Sequence, residues 1–237
     1  MADRKKVLSA VRRACEEYRM IEPGDRIAVG LSGGKDSITL LVALAEMRRF
    51  YPAPYELIAI TADLGFPGGD FSAMEELCRS LDVPYVIERT EIARIVFDER
   101  KETNPCSLCA KMRRGAIHSA AKRLGCGKVA FAHHFDDVAE TFLLNLFHEG
   151  RLGAFQPVTY LDRTGVTLIR PLIFLEEKEI RSFVKKEALP VLPSLCPADK
   201  HSEREEMKEL LRDLERRWPE LRQKIFTALR KSHTDGY

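Results

Sequence analysis

Residues 31–37 place two adjacent glycines among hydroxyl, ammonium and carboxylate side chains, in the order Leu31-Ser32-Gly33-Gly34-Lys35-Asp36-Ser37. Two glycines allow a tight turn in which successive backbone N–H groups point at one anion. A helix that begins at such a turn adds the positive end of its dipole. Because phosphate is the anion that this arrangement suits best, the loop predicts a nucleotide phosphate site. The alternative without function is an ordinary glycine turn between a strand and a helix.

The spacing of this loop separates it from the common nucleoside triphosphatase loop. That loop has a glycine, four residues and then Gly-Lys-Ser/Thr, a pattern absent from residues 31–37. The sequence therefore argues against a kinase or a GTPase.

Three cysteines form the second chemical pattern. Cys106 and Cys109 lie one helical turn apart, and Cys196 lies in a stretch that prolines stiffen. Three thiolates could hold an iron–sulfur cluster and leave one iron without a protein ligand. Structural zinc would need a fourth ligand such as Cys78, Cys126 or a histidine. A redox pair or inert thiols is the remaining interpretation.

A third group of polar residues follows the fourth predicted strand and contains His133, His134, Asp136 and Asp137. In an open parallel sheet this position lies at the same edge as the glycine loop. These side chains could position a metal ion, a water molecule or a target base. We expect one of the two aspartates to be catalytic, with no choice between them.

Three single residues complete the candidate site. Asp63 follows the second predicted strand and is expected near the nucleoside, unless it is simply solvated. Arg113 lies behind the cysteine pair in a basic stretch that could contact RNA phosphates or ATP. Arg170 ends a strand, where a guanidinium could reach phosphate or form a structural ion pair.

The elements that position these residues alternate between short apolar runs and amphipathic stretches. This alternation predicts an α/β fold, with a Rossmann-like parallel sheet of five strands and helices on both faces. The strands are predicted at 26–31, 56–62, 84–88, 128–132 and 166–170. Helices are predicted at 4–20, 37–50, 71–81, 107–124, 137–149 and 176–188, and an apolar stripe among charges after residue 202 predicts a helical lobe. We divide the chain into an N-terminal helix at 1–24, a nucleotide-binding domain at 25–190 and a C-terminal helical lobe at 191–237 that carries the third cysteine.

Composition limits the environment of the protein more than its function. The chain has 237 residues, 45% of them hydrophobic, with a formal net charge of +2, which neither requires nor excludes a nucleic-acid partner. Six cysteines are too few for a disulfide scaffold of this length and fit a reducing compartment. No signal-like segment or long apolar run stands out, so we expect a cytoplasmic protein without a membrane partner.

The segment Ser32-Gly33-Gly34-Lys35-Asp36-Ser37 resembles the signature of the PP-loop ATP pyrophosphatases. Members of that superfamily cleave ATP between the α and β phosphates, which gives an adenylated intermediate and pyrophosphate. The resemblance implies that Lys35 neutralises phosphate charge and that Ser32 and Ser37 donate hydrogen bonds. It also implies that Asp36 helps to hold Mg²⁺, which prefers oxygen ligands.

A wider set of motifs is similar to the tRNA 2-thiocytidine synthetases, the TtcA family. The motifs are Pro105-Cys106-Ser107-Leu108-Cys109, Arg113-Arg114-Gly115, residues 132–137, Arg170-Pro171-Leu172 and Cys196. In that family a 4Fe-4S cluster on the three cysteines is implicated in sulfur transfer to an anticodon-loop cytidine. The resemblance implies that ATP adenylates the C2 carbonyl oxygen and that sulfide bound at the open iron replaces it, forming 2-thiocytidine. Ala132, where glycine is expected, leaves the exact RNA target open.

The resemblance also implies the partners. These are tRNA, a sulfur donor such as a cysteine desulfurase or free sulfide, and a second copy of the chain in a homodimer. Two alternatives stay open: a PP-loop sulfurtransferase or adenylating enzyme acting on another nucleoside or a small molecule, and a non-catalytic iron–sulfur or zinc module that binds RNA.

Overall fold

The computed structural model describes residues 2–100, 105–198 and 203–237. Its centre is a six-stranded sheet in the order β3-β2-β1-β4-β6-β5. The strands are β1 Asp25–Gly30, β2 Tyr55–Asp63, β3 Tyr85–Arg89, β4 Lys128–Ala130, β5 Val158–Leu161 and β6 Val166–Ile169. All neighbouring pairs run parallel except β5 and β6.

Helices cover both faces of this sheet. They are α1 Ala2–Glu17, α2 Lys35–Met47, α3 Ser72–Ser80, α4 Pro105–Arg123, α5 Phe135–His148, α6 Glu177–Lys186, α7 Glu203–Arg217 and α8 Leu221–Lys231. A π-helical turn at Arg94–Glu99 and a short 3₁₀ turn at Thr234–Gly236 complete the elements. Among the described residues, no helix combines the length and the apolar character that crossing a membrane requires.

The predicted α/β class with a Rossmann-like, mostly parallel sheet is confirmed, but the sheet has six strands and not five. The additional strand, Val158–Leu161, forms an antiparallel hairpin with β6 at the edge of the sheet. It has only four residues, none of them fully buried, so it lacks the apolar run that marked the other strands. An edge strand that packs on one side gives a weaker sequence signal than a central strand.

Alternate residues of the central strands enter two different cores. Ile27 and Val29 of β1 face a core that also contains residues of α1, α2 and α6. Ala28, between them, faces a second core with Ile117 of α4. Burial on both faces explains the continuous apolar run of β1. The same packing holds β1 in place, so the glycine loop that follows Gly30 begins at a fixed position at the edge of the sheet.

The C-terminal helices pack on α5. Met207 and Leu211 of α7 form an apolar cluster with Ala139 and Leu143 of α5, and α8 also contacts α5. The segment between α6 and residue 198 has no helix or strand and lies along the glycine loop. The C-terminal part of the chain therefore reaches the edge of the sheet where β1 ends.

Candidate active site at the carboxyl edge of the sheet

A cleft of about 900 Å³ opens at the carboxyl ends of β1, β2 and β4. Five parts of the chain line it: the glycine loop, the segment after β2, the first half of α4, the segment after β4, and residues 192–196. Arg204 of α7 adds a side chain from the C-terminal helices. Of the predicted site residues, the lining contains Ser32, Gly34, Asp36, Ser37, Asp63, Arg113, His133, Asp137 and Cys196.

The glycine loop keeps its shape through its own hydrogen bonds. The Ser37 hydroxyl accepts a bond from the backbone N–H of Ser32 at 3.1 Å and donates one to the Gly34 carbonyl at 2.9 Å. Gly33 has φ +81°, a conformation that side chains disfavour. Gly34 caps α2 without a side chain, so no side-chain oxygen occupies the first N–H groups of that helix. This terminus is available to an anion.

Lys35 and Asp36 form an ion pair beside the loop. Lys35 Nζ lies 2.9 Å from Asp36 Oδ2 and 3.0 Å from Glu177 Oε1 on α6. Burial lowers the pKa of Lys35, but the two carboxylates outweigh burial and raise it, so the ammonium stays charged. Asp36 Oδ1 is buried and has no hydrogen-bond partner among the described residues. Lys35 and Gly33 do not belong to the cleft lining.

The structure separates the two candidate aspartates. Asp137 lines the cleft, where Oδ2 accepts a bond from the His134 N–H at 2.8 Å and Oδ1 one from Arg204 Nη1 at 3.0 Å. Burial would raise the pKa of Asp137, but His134, Arg204 and the N–H group together hold it below its ordinary value. Asp136 lies outside the lining, and its Oδ2 accepts a bond at 2.7 Å from the Glu177 N–H at the start of α6.

His133 presents a neutral ring to the cleft. Its ring lies against Phe155, with centroids 4.9 Å apart, and near Phe131 at 6.1 Å. Burial lowers the pKa of His133 to about 3. Its Nδ1 has no hydrogen-bond partner within residues 2–100, 105–198 and 203–237. The ring can therefore exchange hydrogen bonds with a ligand without bringing a charge.

Asp63 and Arg170 occupy different surroundings. Asp63 lines the cleft, and its Oδ1 accepts a bond from the Gly65 N–H at 3.0 Å. Arg170 was predicted to bind cofactor, but the structure places it outside the cleft lining. Its Nη1 donates to Thr159 Oγ1 at 3.1 Å, and its guanidinium lies 5.0 Å from the Phe155 ring centre. These contacts hold the hairpin of β5 and β6, and burial lowers the pKa of Arg170 to about 10.

The three candidate metal ligands are free thiols, of which Cys196 lines the cleft and Cys106 and Cys109 lie outside its lining, at the start of α4. All three are partly buried. Burial raises the pKa of Cys109, Arg113 lowers it, and the charges of Cys196 and Cys106 raise it further. Cys109 therefore lies near enough to each of the other two cysteines for their charges to act on its thiol.

No three His, Cys, Asp or Glu side chains in the described ranges are gathered as ligands of one metal ion. The cysteines that a closed zinc site would recruit lie elsewhere, since Cys78 and Cys126 are buried in the two apolar cores. A 4Fe-4S cluster takes each thiolate on a different iron and so spaces them more widely than one ion does. A donor set of three free thiols, with the other cysteines buried in the apolar cores, suits a cluster with one open iron better than a closed zinc site of four ligands.

Sequence reasoning missed Arg204 and Glu140. Arg204 binds Asp137, donates through Nη2 to Thr141 Oγ1 at 3.3 Å, and has Nη1 3.7 Å from Glu140 Oε2. Burial, followed by the charge of Asp137, raises the pKa of Glu140 to about 8. Arg204 is one cation among many in a charge-rich stretch, and nothing along the chain distinguishes it from its neighbours.

Known proteins are similar to this chain over nearly all of its length. Residues 5–214 match the PP-loop domain family. A relative from Pelobacter propionicus is 40% identical over 232 residues, covering 97% of this chain and 86% of the relative. One from Geobacter sulfurreducens is 40% identical over 228 residues, covering 95% and 89%. Both are named tRNA-cytidine(32) 2-sulfurtransferase.

A solved structure has the same fold. It is the U34-tRNA thiolase NcsA from Methanococcus maripaludis with its 4Fe-4S cluster. The TM-score is 0.78 and the identity 24%, over 96% of this chain and 79% of that one. The resemblance that the motifs predicted is confirmed by the match of family and relatives. The chain therefore belongs to the tRNA-cytidine(32) 2-sulfurtransferase family of PP-loop proteins.

Proposed function

We propose that the protein uses ATP to replace the C2 oxygen of an anticodon-loop cytidine, cytidine 32, with sulfur. The observation that carries this proposal is the shared cleft, in which the phosphate loop and Cys196 line one cavity. Nucleotide activation and sulfur delivery must occur at the same carbon, so the two groups have to lie together. We place the reaction in the cytoplasm, where tRNA and ATP are available.

The glycine loop binds the phosphates of ATP in this proposal. The uncapped start of α2 offers N–H groups and a positive dipole end to phosphate oxygens. Ser32 adds a hydroxyl donor, and Ser37 adds a second when phosphate replaces the Gly34 carbonyl as acceptor of its proton. Lys35 adds positive charge when phosphate competes with Glu177 for its ammonium. Asp36 Oδ1 is buried, has no hydrogen-bond partner in the described part of the chain and lies 3.7 Å from His134 Nε2; it is the oxygen that we assign to Mg²⁺.

Activation of the carbonyl oxygen makes it a leaving group. The cytidine C2 oxygen attacks the α phosphorus of ATP, a C–O–P linkage forms, and pyrophosphate leaves. Sulfur at the oxidation level of sulfide then adds to C2, and AMP departs with the original oxygen. Each step exchanges one bond for another without net oxidation, so ATP and a sulfide source suffice. Arg113, exposed in the cleft beside Cys109, would stabilise negative charge on the departing phosphate.

Cys106, Cys109 and Cys196 would hold the 4Fe-4S cluster. When bound, the cluster would supply an iron without a protein ligand, a position that sulfide can occupy. Partial burial of the three thiols limits access of water and oxidants to them. Burial raises the pKa of Cys109, and Arg113 opposes that rise, so its guanidinium would help the thiol to lose the proton that ligation removes.

Exposed cations at the cleft entrance suit an RNA substrate. Arg113 and Arg114 line the cleft from α4, and both side chains are exposed. Exposed guanidinium groups can bind backbone phosphates and orient a loop. A cysteine desulfurase or free sulfide as sulfur donor, and a homodimer, stay part of the proposal.

Mass spectrometry of tRNA nucleosides tests the proposal. A strain without this gene should lack 2-thiocytidine, and the wild-type gene should restore it. Asp36→Asn should reduce restoration at least about 100-fold, because the metal and its charge are lost. Asp82→Asn, at an exposed aspartate, is the matched control and should restore fully. Persistence of 2-thiocytidine in the deletion strain would refute the assigned product, and full activity of Asp36→Asn would favour a non-catalytic RNA-binding protein.

A further inference from the structure

The segment that carries Cys196 is attached directly to the phosphate loop. The backbone N–H of Leu192 donates to the Gly33 carbonyl at 2.9 Å. The Leu192 side chain also packs on Gly33, since a Cβ added there would lie 2.7 Å from Leu192 Cδ1. Gly33 is thus required both by its φ of +81° and by the leucine against it.

The short segment between Leu192 and the third cysteine, Cys196, has little conformational freedom. Only Pro193, Ser194 and Leu195 lie between Leu192 and Cys196, and all five residues line the cleft. The proline fixes one φ angle, and the Ser194 hydroxyl accepts a bond from the Cys196 N–H at 3.3 Å. Four residues of extended chain span at most about 14 Å, so the position of Leu192 restricts that of Cys196.

We propose that Leu192 is a positioning residue that couples the two halves of the site, so that nucleotide binding and cluster ligation strengthen each other. This inference rests on the proposed function, because it takes the glycine loop as the nucleotide site and Cys196 as a cluster ligand. Phosphate binding further restrains the loop at Gly33, whose shape its own hydrogen bonds already set, and ligation restrains the segment at Cys196. Since Leu192 joins both, the ligand that binds first reduces the ordering that the second requires.

Charge acts in the opposite direction but does not obscure the test. Nucleotide phosphates and a thiolate-bound cluster are both anionic, and their repulsion weakens the coupling in any variant with the same charges. Replacing Leu192 with a smaller apolar residue leaves every charge in place. A comparison of the two proteins therefore isolates the contribution of the packing contact.

The experiment measures nucleotide affinity with and without the cluster. Calorimetry with Mg²⁺ and a non-hydrolysable ATP analogue would be done on cluster-free and anaerobically reconstituted protein. The wild type should bind the analogue about fivefold or more tightly when reconstituted, the lower end of typical coupling between sites. Leu192→Ala should bring this ratio close to one, and Leu192→Val, which keeps part of the contact, should give an intermediate ratio.

Reciprocity supplies a second readout that does not involve catalysis. The analogue should slow the loss of cluster absorbance near roughly 400 nm under a chelator in the wild type, and less so in Leu192→Ala. Leu195→Ala is the matched control, because Leu195 lies in the same segment, is 46% exposed and is not among the atoms against Gly33. Leu195→Ala should keep the wild-type ratio of nucleotide affinities with and without the cluster.

The possible failures are distinguishable. A wild type that binds no nucleotide or takes up no cluster contradicts the proposed function itself. A wild type that binds both with a ratio of one, or a Leu192→Ala protein with the wild-type ratio, contradicts only the coupling. If Leu195→Ala lowered the ratio of the two nucleotide affinities as much as Leu192→Ala does, the assignment of the coupling to Leu192 would also be overturned.

Discussion

Asp136 and Asp137 are consecutive residues, yet their carboxylates serve different elements. The first carboxylate accepts the N–H of Glu177 at the start of α6, and the second lines the cleft under Arg204. At the strand-to-helix turn that begins α5, neighbouring side chains point in different directions, so sequence adjacency does not give a shared role. We therefore propose Asp137, and not Asp136, as the catalytic aspartate.

Replacing the two aspartates should separate activity from stability. We expect Asp137→Asn to lower the thiolation rate about 100-fold or more, the usual range for a positioned acid–base group. Asp136→Asn should lower the free energy of unfolding by about 1 kcal/mol, because it weakens a helix cap, and leave most of the activity. Single-turnover thiolation and urea unfolding of both variants would measure this. Equal losses of activity would contradict the assignment.

Glu140 should make stability depend on pH. Burial, the main cause, raises its pKa to about 8 in the folded protein, Asp137 and Asp136 raise it further, and Arg204 and Lys208 oppose them. The folded state thus keeps a proton that the unfolded state releases near its ordinary value of 4.5. The resulting stabilisation is complete below about pH 4.5 and is lost as pH rises through about 8.

The test compares melting temperatures between about pH 6 and pH 9. The side chain of Glu140→Gln cannot ionise, so the melting temperature of this variant should fall less between these pH values than that of the wild type. Glu149→Gln, at the end of the same helix and 61% exposed, should keep it. If Glu140→Gln and the wild type show the same slope, Glu140 is already ionised at neutral pH.

At the scale of elements, strands buried on both faces were predictable and edge or surface elements were not. The runs at 26–31 and 56–62 gave β1 and β2 within a residue or two, and with them the place of the glycine loop. β5 was missed because a four-residue edge strand has no continuous apolar run. The role of Arg204 depends on how α7 packs on α5, which spacing along the chain does not encode.

Arg204 connects α7 to the cleft, and removing it should affect both folding and catalysis. Arg204→Ala leaves Asp137 and Glu140 without their nearest guanidinium, and we expect a loss of about 1–2 kcal/mol, moderated because the arginine side chain is 42% exposed. The pKa of Asp137 should rise, which shifts the acid limb of the pH–rate profile to higher pH.

The matched control is Arg216→Ala on the same helix, where the side chain is 77% exposed. It should change neither the unfolding free energy nor the pH–rate profile. Arg204→Lys retains the charge but not both hydrogen bonds, so its activity should lie between the wild type and Arg204→Ala. A merely structural role would lower stability and leave the acid limb of the profile unmoved.

At the scale of the whole molecule, the cleft is assembled from segments far apart in the chain. The glycine loop begins near residue 31, α4 contributes Arg113 and Arg114 just after the cysteine pair, and Cys196 and Arg204 come from beyond α6. Parallel strands bring their carboxyl ends to one edge, which is why the sequence could predict that loop and polar cluster meet. It could not predict the position of Cys196, because residues 187–198 form no element and are located by contacts such as Leu192 on Gly33.

The three cysteines from these separate segments should act as one metal-binding unit. Protein purified without oxygen should be brown, with about four irons per chain and absorbance near roughly 400 nm. Cys106→Ser, Cys109→Ser and Cys196→Ser should each lose most of the iron and the thiolation activity. Cys126→Ala, in the core and 3% exposed, should keep both, because its sulfur packs among apolar side chains. Colourless protein with one zinc per chain would contradict the cluster and show that the thiols close around a single ion.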